Sequence, residues 1–482
     1  MSGTFFGISV AQSGLAAQRR AMDVLGYNIA NANDPTYKRQ RLVMVEGSVL
    51  AQSQEASSLG VSSIGSGVNS GDIERVRDSL IENRLRQAGT ASANWSYRQS
   101  TLSQLEAAIG EPSDTGLQTD LDNFWASWQK VATSPDSMPT RSGLLEDASA
   151  LCQRLNYVSR QMTDMTGDLN LAAMDRVDKI NLMANEIGRL NNEIGTLSSG
   201  AVPANDLLNR RDALVQELAK EVDITQHGDD KDGFVISIGG TVLVQGTMVN
   251  RLKTDVDSNG NQQIFWERDN APVQINGGEM KAIADLRDQV IPGYMNELDQ
   301  IAQQIVTSVN AQHRQGVDLD GNPGGDFFQE FPGGVTAANI CLHYDSNPPD
   351  LANPAIVGHP ERVAASGPDN PATTTTESGK SDNRNALAIA QLKDAPTTTN
   401  FTINQMYRNL IGDIGGASAT AQTQAKANEL SLYQFTTQQQ SISGVSLDEE
   451  MTNMIKFQQA YNAAAKVLGV MDEMLTTLVN IK

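Results

Sequence analysis

Two cysteines in 482 residues, Cys152 and Cys341, leave no material for a disulfide framework, a four-cysteine zinc site or a Cys-x-x-Cys redox pair. Histidine is nearly as scarce, with positions 227, 313, 343 and 359 the whole supply of side chains that ordinarily titrate near neutral pH. Aromatic residues make up 5% of the chain against 39% hydrophobic residues, which disfavours thick cores and favours long, thin helix contacts. Positive charge is also short. The 36 Lys and Arg face 57 Asp and Glu, and the net charge of −21 repels phosphate backbones and acidic lipid headgroups. No nucleic-acid partner and no membrane insertion are expected, and the longest basic run, Lys38-Arg39-Gln40-Arg41, reads as a solvated turn. No stretch approaches ~18 consecutive apolar residues. Met1 to Val10 carry no Lys or Arg and no apolar segment follows, so no secretory signal peptide is expected.

Catalytic templates are missing too. There is no Walker A motif, no H-E-x-x-H, no G-x-S-x-G elbow, and no G-x-G-x-x-G after a strand; Gly65-Ser66-Gly67 sits in a serine-rich loop. His343-Tyr344-Asp345 and His359-Pro360-Glu361 place a histidine near a carboxylate, but in loop-rich sequence where solvated side chains are the rule. The chain reads as neither an enzyme nor a cofactor binder. One loop has ligand-like spacing: Asp318, Asp320 and Asp326 could offer oxygens to calcium, although no Glu closes a twelve-residue loop and Asp and Gly dominate ordinary turns.

What is present is helical periodicity. From Leu144 to Leu197, sixteen apolar positions follow one another in steps of three or four, with a mean of about 3.5, the coiled-coil period. A helix over that span runs ~80 Å at 1.5 Å per residue, which predicts a rod. A second stripe (Ile81, Leu85, Ala88, Trp95, Leu102, Leu105, Ile109) predicts a helix from about Asp72, and Leu121, Phe124, Trp125 and Trp128 form the densest aromatic cluster. Helices are also predicted over Ala204–Lys220, Glu279–His313, Asn385–Leu392 and Ile403–Ser441. Between them, Phe234–Ile238, Gly239-Gly240 and Thr241–Val244 read as a hairpin, with Ile264–Trp266 and Pro272–Ile275 as further strands. Residues 316–382, rich in Gly, Pro, Asn and Asp, read as a linker or a small, poorly packed insert.

Both ends are amphipathic. Ile8, Ala11, Leu15, Met22, Leu25, Ile29 and Ala32 form one stripe, stopped by Asp34-Pro35. Beyond a capping-box signature at Ser446 and Glu449, two apolar seams follow: Phe457, Ala460, Ala464, Val467, Met471, Met474, Leu478 and Ile481, and Met451, Met454, Tyr461, Ala465, Leu468, Leu475 and Val479. A helix with two seams needs neighbours on two sides, more than one partner helix supplies.

These residues carry a resemblance. Ser13-Gly14-Leu15-Ala16-Ala17-Gln18, Asn28-Ile29-Ala30-Asn31-Ala32-Asn33 and Tyr37 resemble the N-terminal signature of bacterial flagellar rod, hook and hook-associated proteins. Ser443–Met451, Gln458–Tyr461 and Met471–Leu475 are similar to the matching C-terminal signature. Two internal motifs, Asn205–Asp212 and Gly316–Gly321 through Asp326-Phe327-Phe328, look like those of the hook-associated branch at the hook–filament junction. The family's glycine before the tyrosine is replaced by Thr36, so the exit from the first helix is expected to differ.

The expectation is therefore a mainly α fold: an elongated bundle of long coiled-coil-like helices with a small inserted β-rich domain. The segments are terminal assembly helices (1–40 and 443–482), a helical rod (41–222, 279–315 and 383–442), the β insert (223–278) and a loop-rich segment (316–382), with a reduced outer insert as one reading of it. The resemblance implies an axial coiled coil of the termini, a structural role between hook and filament, and export through the flagellar type III apparatus to an extracellular position. It also implies as partners copies of the chain, hook protein below, a second junction protein above, and an export chaperone on the C-terminal helix. The expected interface is Ile8, Leu15, Met22, Leu25, Ile29, Asn31, Tyr37, Met451, Met454, Phe457, Tyr461, Ala464, Val467, Leu468, Met471, Met474, Leu475 and Leu478, with an Asp at Leu468 or Met471 expected to block assembly. The alternatives are hook protein or another axial relative, and a secreted calcium-dependent adhesin or hydrolase.

Overall fold

The computed structural model describes residues 2–47, 67–111, 113, 116–199, 204–228, 233–257, 260–344, 353, 355–367, 380–397 and 400–480. Its frame is α4 (Met138–Ser199), a single 62-residue helix about 93 Å long. Of the sixteen predicted stripe positions on it, only Met165 and Leu197 are not fully buried. Against this frame lie α2 (Ser79–Ile109), α3 (Leu117–Thr133) and α5 (Asn205–Glu221). A bent helix completes that side: α6 (Gly278–Asp285), a π turn (Leu286–Val290) and α7 (Ile291–His313). The π turn sits just before Pro292, which lacks an N–H and would clash with a carbonyl one turn back in regular helix. α8 (Arg384–Gln391) covers α3, and α9 (Ile403–Ser443) runs along α2. A reciprocal capping box starts α9: Gln405 N donates to Thr402 Oγ1 (3.2 Å), and Thr402 N donates to Gln405 Oε1 (2.9 Å).

The predicted hairpin is present as β4 (Val235–Ile238) and β5 (Thr241–Gln245), and Gly239 and Gly240 take φ of 55° and 85°, as a two-residue I′ turn requires. It is flanked by β3 (Ile224–His227) and β6 (Met248–Val249) in a four-stranded antiparallel sheet, with β7 (Leu252–Val256) and β8 (Gln262–Trp266) as a separate pair. Pro272–Ile275 is not a strand; one bridge ties Pro272 to Phe265. This β region is not a free-standing domain, because Ile236, Leu243, Val244, Leu252 and Trp266 share one core with the α4 stripe.

Two further expectations need correction. The segment after the first helix pairs β1 (Gln40–Glu46) with β2 (Val68–Arg75), so Asp72 lies in a strand, and the helix begins only where Asp78 caps Leu80 and Ile81. Residues 316–366 are loop-rich but well packed where described. Phe327 and Phe328 are buried against Phe124 and Trp128, and Ile340, Val363 and Ala365 join the same core. The threonine run at 373–376 lies outside the described residues.

His313 and Arg141 hold this loop segment down. His313 is fully buried: Nδ1 lies 2.7 Å from Gly325 O and Nε2 accepts the Ala364 N–H at 2.9 Å, which fits a neutral ring. Arg141, equally buried, donates to Pro135 O (2.6 Å) and Val363 O (2.5 Å). Burial lowers His313 from 6.5 to about 4. The unfolded chain therefore takes this proton first, so the contribution is complete above pH 6.5 and is lost as pH falls toward 4. We predict that acid unfolding of the chain steepens over this window by an amount on the order of 3 kcal/mol, and that His313→Gln, though less stable at pH 7, loses that part of the pH dependence. Urea titrations from pH 7 to 4 test it. Trp128→Ala should cost about 3–5 kcal/mol in the same assay.

Candidate assembly site

The two chain ends meet in one place. α1 (Ser2–Ala30) packs along α10 (Leu447–Asn480) and against the β1–β2 pair. Asn28 bonds Glu450, and a β-carbon at Gly7 would lie 2.5 Å from Met471 Cε. Gly7 lies 21 residues before Asn28 and Met471 lies 21 after Glu450, so the helices run antiparallel and in step for about 30 Å.

The inward face of α1 is half alanine; it keeps Ala11 and Leu25 of the predicted stripe and is otherwise rotated from it. Ala11, Ala17, Ala21, Val24, Leu25 and Asn28 are buried, whereas Ile8, Leu15, Met22 and Ile29 are only half-buried. On α10 the two predicted seams recombine. Met454, Phe457, Tyr461, Ala464, Leu468, Met471 and Leu475, in strict alternation of three and four, are half-buried. Met451, Ile455, Val467, Val470 and Met474 are exposed. The Leu478 side chain and Ile481 lie outside the described residues. Leu468 and Met471 thus belong to the intramolecular seam, and the outward seam is the face left over.

A buried polar node fixes this register. Asn28 uses all four of its hydrogen-bonding positions: Nδ2 donates to Gln40 O and to Glu450 Oε2, both at 2.8 Å, while Oδ1 accepts from Tyr37 OH (2.8 Å) and Gln40 N (3.0 Å). Glu450 is also fully buried and pairs with Arg39 Nε at 2.7 Å. Glu449, expected to cap its own helix, reaches Arg39 Nη1 at 3.1 Å. Burial raises the Tyr37 hydroxyl, so it stays a donor. Asn31 turns back to Tyr27 O (2.9 Å). Thr36 does not need a positive φ, because its N–H and hydroxyl both donate to Asp34 Oδ1 (2.8 and 2.7 Å) in an Asx-type turn.

The internal motif on α5 receives this module. Asn205 donates to Gln40 Oε1 and Ile73 O (3.0 Å each), Asp206 accepts from Tyr27 OH (2.6 Å), and Asn209 accepts from Arg75 (3.1 Å). Asp212 pairs with Lys38 (2.7 Å) and Arg75 (2.8 Å), and Lys38 also pairs with Glu82. Lys38 is therefore buried, not solvated as the basic run suggested. Burial alone would raise the Asp212 carboxyl, but Lys38 and Arg75 hold it at about 2.

The loop with calcium-like spacing is occupied by its own chain. Asp318 Oδ1 accepts from the Asp320 and Asn322 N–H groups (2.8 Å each), and Asp326 accepts from Asn353 (2.7 Å) and pairs with Arg314. The three carboxylates do not converge, and among the described residues no group of three His, Cys, Asp or Glu could hold a metal ion. His343 faces Asn353 O (2.9 Å), His359 pairs with Glu361 (2.9 Å), and Asp345 lies outside the described residues. Burial raises the Cys152 and Cys341 thiols, which keeps them unreactive. No described helix is long and apolar enough to cross a membrane.

Removing one partner of a buried ion pair typically costs 3–5 kcal/mol. Glu450→Ala should therefore release α10, seen as faster proteolysis at Gly444–Ser446, while the rod's unfolding midpoint stays unchanged. Equal protection of that link in both proteins would contradict the node.

Comparison with known proteins places similar sequences along the whole chain. Residues 102–328 match the family described as flagellar hook-associated protein FlgK helical domain, a span that contains both internal motifs. Residues 8–38 match the flagella basal body rod protein family, and 438–481 match the flagellar basal body rod FlgEFG protein C-terminal family. The chain is 28% identical to the flagellar hook-associated protein 1 of Bacillus subtilis (strain 168), over 100% of this chain and 99% of that one. It is 27% identical to that of Escherichia coli (strain K12), over 98% and 99%. The solved flagellar hook junction protein FlgK from Burkholderia pseudomallei has the same fold, with a TM-score of 0.63 at 18% identity, covering 75% of this chain and 100% of that one. Over its full length the chain is similar to the flagellar hook-associated protein 1 of these bacteria, and the matches support a structural protein of the flagellar hook–filament junction.

Proposed function

We propose that the chain performs its junction role by geometry alone, without turnover, and that the outward seam of α10 is the surface on which copies assemble. The observation that carries this reading is the division of α10: one heptad face is spent on α1, and Met451, Ile455, Val467, Val470 and Met474 remain exposed beside it. Such a stripe on a helix at the chain end is stabilised by burial against a neighbour. Hook protein below and a second junction protein above are the proposed axial partners. Before export through the type III apparatus an export chaperone would cover the same seam, and the final position is outside the cell. The hook-protein alternative is disfavoured by the match to the FlgK helical domain. The adhesin alternative loses its basis, because Asp318 and Asp326 are engaged within the fold.

Burying one unpaired carboxylate at such a contact costs several kcal/mol. Val470→Asp and Met474→Asp should each abolish filament retention and swimming while leaving the rod's thermal unfolding unchanged. Leu468→Asp should instead loosen the α1–α10 pair itself, visible as lost helicity in the free chain. Normal swimming in both outward variants would sink the reading.

A further inference from the structure

The fold brings the chain's two cysteines into one neighbourhood. Cys152 is buried on α4, and Cys341 is half-buried in the loop segment that crosses that helix. Asn156 stands one helical turn beyond Cys152 on the same face. Its Nδ2 donates to Ala337 O (2.8 Å), 181 residues away, and to Ile340 O (3.3 Å). Cys341 is therefore the residue next to a carbonyl fixed on the face that Cys152 occupies. Its own carbonyl accepts from Gln329 N (3.0 Å), and the adjacent Leu342 bridges to Phe328, so its backbone is held from the other side as well. Cys152, Ile340 and Leu342 belong to one core. Burial raises the Cys152 thiol first, and charge on Cys341 raises it further, which requires the two sulfurs to lie within range of each other.

A buried cysteine by itself reads as a small apolar residue. Packing accounts for Cys152 but not for its neighbour, which is half-exposed in irregular backbone and is the one other cysteine of the chain.

We propose that Cys152 and Cys341 form a disulfide as the chain folds outside the cell, a covalent staple between the loop segment and α4. It rests on the extracellular position argued above, because disulfides persist there and the same pair stays reduced in the cytosol. The oxidant is a small-molecule disulfide. The Cys341 thiolate, the more accessible one, attacks it and releases one small thiol. The Cys152 thiolate then attacks the Cys341 sulfur of the mixed disulfide and releases the second. Two protein thiols are oxidised, one external disulfide is reduced, and the two protons pass to the released thiolates. Burial holds both thiols protonated in the finished fold, so the exchange belongs to folding, while the segment around Cys341 settles onto α4. The bond closes a loop of roughly 190 residues and so restricts the unfolded chain.

The test refolds the full chain from urea in a mixture of reduced and oxidised glutathione, and holds a second sample in urea with the same mixture. Both are quenched with acid and mapped by mass spectrometry. The ratio of linked to free thiols should be about 30- to 1,000-fold higher in the folded chain, since a stabilising bond is one that the folded state favours. A ratio no higher than in urea would mean that the Cα atoms stand farther apart than the ~7 Å a disulfide tolerates, and would overturn the proposal. Cys341→Ser should abolish the linked species and leave Cys152 a free thiol. Chain taken from isolated flagella and alkylated before any reductant is added should yield Cys152 linked to Cys341. Both thiols free in that sample would overturn the proposal while leaving the junction reading intact. Absence of the chain from flagella would defeat the junction reading, and the glutathione ratio would still decide the bond.

Discussion

Asn28 joins three parts of the chain that are far apart in sequence: its own helix, the strand at Gln40 and the helix beginning at Leu447. All four of its bonds are made where water is excluded, so any shift of α10 along α1 leaves buried polar atoms without partners. An apolar seam of residues repeating every three or four positions tolerates sliding by a heptad; the Asn28–Glu450 bond does not. The arrangement of the outward seam depends on that fixed register, because sliding or rotating α10 would change which residues face away from α1.

The same logic extends into the rod. The exit from α1 is held by Tyr37 on Asn28, by Arg39 on Glu450 and by Lys38 on Asp212 and Glu82, so the terminal pair is tied to α2 and α5 by charge and hydrogen bonds. Groups of this kind contribute orientation more than net stability, since desolvation offsets much of their attraction. The rod itself is stabilised by the opposite chemistry, the long apolar stripe of α4 and the aromatic cluster around Phe124, Trp128 and Phe327. A stiff apolar frame and a polar joint at one end suit a subunit that must present its terminal helices at a set angle.

Much of this was legible in the residue pattern. The α4 stripe persists for so many steps that chance seldom produces it, and two adjacent glycines between β-branched runs left one reading for the hairpin. What escaped has physical causes. Half of the inward face of α1 is alanine, so a search for large apolar residues found Leu25 but otherwise settled on its neighbours Ile8, Leu15 and Met22. Both seams of α10 are equally apolar, and only the partner helix decides which turns inward. Strands β1 and β2 pair across a long intervening segment, a non-local contact that no short window contains. Gly and Asp content marked 316–366 as loop, yet irregular backbone packs well when a buried histidine and arginine bond its carbonyls and amides. Lys38 looked solvated because charge runs usually are, and its two acidic partners lie 44 and 174 residues away.

The central claim is that α10 uses one face within the chain and reserves the other for neighbours. Hydrogen exchange on the free chain and on the chain assembled on isolated hooks tests it directly. The account predicts that amides of α2–α7 are equally protected in both, while those of α10 from Met451 to Met474 are partly protected in the free chain, where one face packs on α1, and slow markedly further on assembly. Equal protection of α10 in the two states would contradict it.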